Sequence, residues 1–199
     1  MEPFTIGQQK ANTFVDQFLI HFRDMYGPQL DPMSIPNFGD FKLDNMGNIR
    51  IYDLKLTGIS HMKREGSIEV HTNGRMKLWT IKTNLSIANI TADFKVDAQL
   101  HKGLYISGWA LQVLIDRCLL TAVLDYDEST KMMTVSKLGV NSIEGFTLNT
   151  DNLSWPFNDV VPQIIDHQMD HLKTVIGSHT HKYLTQTLKS FNVSKLLDR

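Results

Sequence analysis

A second cysteine is missing. Cys118 stands alone among 199 residues, which rules out a disulfide within the chain and leaves packing to hold the fold. No apolar run approaches the ~20 residues that a spanning helix needs. The first twenty positions carry Glu2, Lys10 and Asp16, so neither a membrane anchor nor a signal peptide is expected. Met1-Glu2-Pro3-Phe4 fits a start placed before a mature chain as well as an authentic cytosolic start. Neither sign of charge is in excess: twenty basic against twenty-one acidic side chains give a formal net charge of -1. Such a balance offers no counterion-release footprint, and nucleic acid is not expected as a partner. Also absent are the Gly-x-Ser-x-Gly elbow, the Walker loop and the dinucleotide Gly-rich fingerprint. Ser67 and Ser107 adjoin glycines without the rest of any nucleophile motif. Cys118, between apolar neighbours, reads as an inert buried thiol. No catalytic residue and no cofactor is expected.

What the chain does have is apolar content of 42%, enough to close a substantial core in one domain spanning residues 1–199. Ala11, Phe14, Val15, Phe18, Leu19 and Phe22 recur at three- and four-residue steps, which predicts a helix over about 5–26, ended by Gly27-Pro28. Residues 29–39, with Pro32 and Pro36, read as an extended connection. From Asn48 the period falls to two, with one slip near Ile51 that a β-bulge explains. Asn73-Gly74 between two alternating runs predicts a hairpin with a type I′ turn. Trp79, Ile81, Thr83, Leu85 and Ile87 alternate. After a slip at Ala88-Asn89, so do Ile90, Ala92, Phe94, Val96, Ala98 and Leu100. That slip fits a turn between two strands as well as a bulge within one. Leu111 to Leu124 is apolar on both faces and predicts a central strand covered on both sides. The strands together occupy about 40–149.

The last segment keeps a helical beat for more than thirty residues, from Phe157, Val161, Ile164 and Ile165 through Leu172, Ile176 and Tyr183 to Phe191. It predicts a helix over about 155–191, starting between Ser154 and Asp159 because Pro162 is tolerated only near the start. At 1.5 Å per residue such a helix reaches ~50 Å, comparable with strands of 11 to 13 residues. The fold class is therefore α+β: a long curved antiparallel sheet wrapped around a long C-terminal helix, with an additional N-terminal helix.

Two stretches carry a family resemblance. Asp31-Pro32-Met33-Ser34-Ile35-Pro36 after the first helix, and Leu56-Thr57-Gly58-Ile59-Ser60-His61-Met62-Lys63-Arg64-Glu65-Gly66 after the first strand, resemble the group 7 mite allergens and their arthropod relatives. These lie within the TULIP-like superfamily of bactericidal/permeability-increasing protein and the takeout and juvenile hormone-binding proteins. Asn152-Leu153-Ser154-Trp155 leading to Val161-Pro162-Gln163-Ile164 looks like the start of the last helix of takeout-like proteins. Those proteins typically carry an N-terminal disulfide, which this chain does not have. The resemblance implies a lipid held between sheet and helix, and secretion with the signal peptide already removed. Four sequons, at Asn84, Asn89, Asn152 and Asn192, are then candidate glycosylation sites.

The expected function is binding, transport or sensing of a hydrophobic small molecule, such as a fatty acid, phospholipid, terpenoid hormone or microbial lipid. Candidate contacts are Phe14, Phe18, Phe22, Trp79, Ile81, Phe94, Trp109, Leu114, Ile164, Ile165, Leu172, Ile176 and Tyr183. The alternative is a ligand-free interaction or innate-immunity module with a fully packed core, whose receptor or homodimer partner the sequence leaves open. Two readings of charged groups are set aside. His167 and His171 stand at metal-ligand spacing near His179 and His181. Gln168, however, occupies the place of a zincin's general base, and the histidines read as the wet side of the helix, with no metal. Arg50, Lys55, Lys63 and Arg64 could gather into a head-group patch, but read as solvated positions.

Overall fold

The computed structural model describes residues 3–43, 47–73, 77–100, 103–127, 129–148 and 157–190. Of residues 3–7, 43, 100, 157–167 and 190 it describes the backbone alone. Helix α1 (Pro3–Leu30) leads into strands β1 (Met33–Leu43), β2 (Gly47–Thr57), β3 (Lys63–Asn73), β4 (Leu78–Leu100), β5 (Tyr105–Asp127) and β6 (Met132–Leu148), and helix α2 (Phe157–Ser190) follows. All pairings are antiparallel. The strand order is β1-β2-β4-β5-β6, with β3 also paired to β4. β2 takes residues 91–100 of β4 and β3 takes residues 78–86, so the two shorter strands lie end to end along one side of a long one. The chain is α+β, a curved antiparallel sheet about a long C-terminal helix, with a second helix from the N-terminus.

Helix α1 does not stop at Gly27-Pro28 but runs three residues further, with Pro28 in its last turn. A proline there removes one donor, and Asp24, four residues back, lies at an exposed position, where the lost helical bond costs least. The extra turn buries Leu30 completely. Bidentate hydrogen bonds of 2.8 Å from Arg64 to Asp16 fasten α1 to β3, which takes Arg64 away from any basic head-group patch. The segment expected as an extended connection is strand β1, paired with β2 from Met33 onward. Pro36 is tolerated because β1 is an edge strand.

A slip in β2 between Tyr52 and Lys55, with Asp53 at φ 53, turns Ile49, Ile51, Leu54 and Leu56 to one buried face. The slip at Ala88-Asn89 is not a turn but falls inside a single 23-residue strand, with Asn89 at φ 57 and the register with β5 unchanged across it. Beside it β5 slips at Asp116, so that Val113 and Ile115 below it and Cys118, Leu120 and Ala122 above it share the inner face. The double apolar pattern of β5 thus comes from that change of phase. Its outer side is half-buried or open, and Leu114 is 43% exposed. Next to Asp116, Gly145 of β6 sits at φ +68, and a Cβ there would lie 2.1 Å from Asp116 Oδ2. The β3–β4 hairpin forms, with Asn73 paired to Leu78, and the expected turn at Gly74 lies outside the described residues.

Candidate functional site

Helix α2 lies along β6 and reaches both outer strands of the sheet. His171 Nε2 is 2.9 Å from the carbonyl oxygen of Phe38 on β1, and His181 Nε2 is 3.3 Å from that of Val135 on β6. In each case the imidazole donates, since a carbonyl only accepts. The two rings are therefore anchors and not simply the wet side of the helix. Among the described residues no group of acids, histidines or cysteine could hold a metal ion.

Between these anchors and the sheet lies a cleft. Its walls are Phe38 from β1, Ile51 and Leu54 from β2, Ala92 and Phe94 from β4, Val113 and Ile115 from β5, Phe146 from β6, and Gln168, Met169 and Leu172 from α2. Inward positions of all five strands on the path from β1 to β6 contribute, because the bulges keep apolar side chains facing in along the full strand length. The imidazole of His171 meets the Phe38 ring edge-on, with centroids 4.6 Å apart, and so holds one wall in place. The cavity measures about 60 Å³, and the empty space is about 480 Å³ when its solvent-open mouth is included. The lining is apolar except for Gln168.

Of the candidate contacts, Phe94 and Leu172 line this cleft. Phe14, Phe18, Phe22, Ile81 and Ile176 are buried in the core, with Phe14 and Phe18 stacked at 6.2 Å. Trp79 and Trp109 pair with Tyr126 and Val96 at opposite ends of the inner face and are half-buried. Tyr183 packs against Tyr26 with ring centroids 5.5 Å apart. Leu114 points to the outer face, in register with Thr91 and Thr147. The side chains of Ile164 and Ile165 lie outside the described residues, as do Asn152 and Asn192. Asn84 and Asn89 are both exposed, Asn84 mid-strand with its Oδ1 accepting from Thr121 at 3.0 Å and Asn89 at φ 57. Phe38 was hidden in a segment read as a connection, and Phe146 behind the break at Gly145. The other wall residues follow from strand alternation once the bulges are placed. Gln168 and Met169 follow from the helical step back from Leu172.

The remaining basic groups do not gather. Arg50 stands 3.7 Å from Asp40 and over the Tyr52 ring, and Lys95 is 3.0 Å from Asp53. Asp97 accepts from Tyr52, Ser107 and the Gly108 amide, and the backbone bond above all holds its carboxyl below the usual carboxylate range. No helix is long and apolar enough to cross a membrane among the described residues.

No family model matches the sequence, and no curated protein matches it. Among solved structures, Takeout 1 of Epiphyas postvittana is matched over 85% of this chain and 80% of that one, at 11% identity and a TM-score of 0.38. Lipopolysaccharide binding protein is matched at 16% identity with a TM-score of 0.55, over 92% of this chain and 39% of that one. The chain thus spans 39% of that larger protein's length and, over nearly all of its own, has the same fold.

Proposed function

We propose that the chain binds a hydrophobic small molecule in the cleft between α2 and the inner face of the sheet, as a carrier or sensor and without catalysing a reaction. The observation that carries this reading is an apolar cleft to which five strands and a helix all contribute, closed at one side by the Phe38–His171 contact. Burial is the mechanism: each CH₂ taken out of water contributes about 0.8 kcal/mol. The cavity proper, about 60 Å³, is smaller than the ~300–1,000 Å³ of ordinary small-molecule sites, so a ligand lies partly in the open mouth or displaces wall side chains. The shared fold with a protein named for lipopolysaccharide binding supports a lipid-like ligand. The group 7 allergen-like stretches support an exported protein, for which Asn84 and Asn89 are the exposed glycan acceptors among the described sequons.

A cavity of only about 60 Å³ favours a second reading, an interaction module whose core is filled by its own side chains. Native mass spectrometry of freshly purified protein, followed by titration with a neutral fluorescent naphthylamine, separates the two. Co-purified lipophile or saturable fluorescence enhancement is the expected result. An empty protein that leaves the probe dark would establish the packed module instead.

A further inference from the structure

Charge around the cleft narrows the ligand further. Between Lys137 and Lys173 lie 35 residues without a lysine or arginine, and they carry Glu144, Asp151, Asp159, Asp166 and Asp170. This stretch supplies Phe146, Gln168, Met169 and Leu172 to the walls. The strand walls add no cation. Lys95, next to Phe94, pairs with Asp53, and Lys173 Nζ lies 3.3 Å from Asp170. An anionic head group drawn into the cleft would lose water and meet no cation in exchange.

One polar side chain does face the site. Gln168 is half-buried, and its amide makes no hydrogen bond among the described residues. An amide donates and accepts, so it satisfies a hydroxyl or a carbonyl equally well, but supplies no counter-charge.

Resting on the binding reading above, we propose that the ligand is a slim neutral lipophile ending in an alcohol, aldehyde, ketone or ester, not a fatty acid or phospholipid anion, and that Gln168 recognises this uncharged end.

The test is displacement of the bound naphthylamine by 1-decanol and by decanoate at pH 8, on the full chain and on Gln168→Leu. Decanol is expected to displace the probe at about one-tenth the decanoate concentration or less. Gln168→Leu, with its fold checked by melting, is expected to weaken decanol by about three- to tenfold and to leave decanoate within twofold. Decanoate binding as tightly as decanol overturns the neutral-ligand assignment, and an unchanged decanol affinity in Gln168→Leu overturns the role of Gln168. In both cases the cleft still binds lipophiles. Failure of the probe and both chains to bind removes the binding reading and this inference together.

Discussion

Asp31 accepts four hydrogen bonds: from the amides of Gly58, Ile59 and Ser60 and from the Ser60 hydroxyl, with Ile59 at 3.0 Å and the Ser60 amide at 3.1 Å. Its side chain is 16% exposed. One carboxylate thus joins the end of α1 to the turn between β2 and β3. Bonds to a charged, shielded acceptor are the stronger class. Asp31→Ala is expected to cost about 2–3 kcal/mol in urea unfolding, and Asp31→Asn about half of that because one oxygen can still accept. Little of this was readable from sequence, since an Asp before a proline looks like any turn residue until its partners 27 to 29 positions away are known. Cys118 was readable, and burial pushes its thiol up from 9.0 to about 12. Thiol reagents at pH 8 are expected to leave it unmodified in the native protein and to label it in urea. In the unfolded chain the thiol ionises first, so folding stability loses this contribution as pH rises above about 9. A native protein labelled as fast as the denatured one would contradict that burial.

The elements owe their length to places where alternation breaks. Asp53, Asn89, Asp116 and Gly145 mark slips on four neighbouring strands, and each lets a strand continue with its apolar side still inward. Without Asn89, the second half of β4 would turn Ile90, Ala92 and Val96 to solvent. Gly145→Ala is expected to destabilise by about 1–3 kcal/mol, because its φ of +68 is poor for a side chain and the new Cβ meets Asp116. Pairing it with Asp116→Ala should recover part of the loss, a non-additivity that a double-mutant cycle in urea measures. Additive losses would mean that the backbone alone sets the cost. The slips near Ile51 and at Ala88-Asn89 were visible in the sequence as changes of phase, whereas the one at Asp116 read as a strand apolar on both faces. What each one was did not follow, because a turn and a bulge produce the same slip, and only pairing with a neighbour separates them.

The order of layers followed from hydrophobic period, which switches from 3.6 to 2 and back along the chain. The site did not, because which apolar side chains fill space and which border it depends on volumes across six elements at once. Phe14 and Phe94 both look inward in sequence. One is sealed in the core beneath α1 and the other forms a wall of the cleft. Occupancy of the cleft bears on the whole molecule: a ligand at a hundred times its Kd adds about 2.7 kcal/mol, or about 5–10 °C in Tm for a chain of this size. A thermal melt with saturating 1-decanol reads this directly, and an unmoved Tm would contradict binding to the native state.

The histidine anchors have a consequence for how the molecule meets its own kind. A sheet left with bare outer strands invites a neighbour to add one of its own, the first step toward swapped dimers and fibres. Here β6 is lined by α2, β3 is covered by α1, and β1 is interrupted by Pro36, ends in charged positions at Asp40 and Lys42, and has its Phe38 carbonyl taken by His171. Helix α2, which walls the cleft, and helix α1 on the far side therefore also make it harder for a second copy to add a strand.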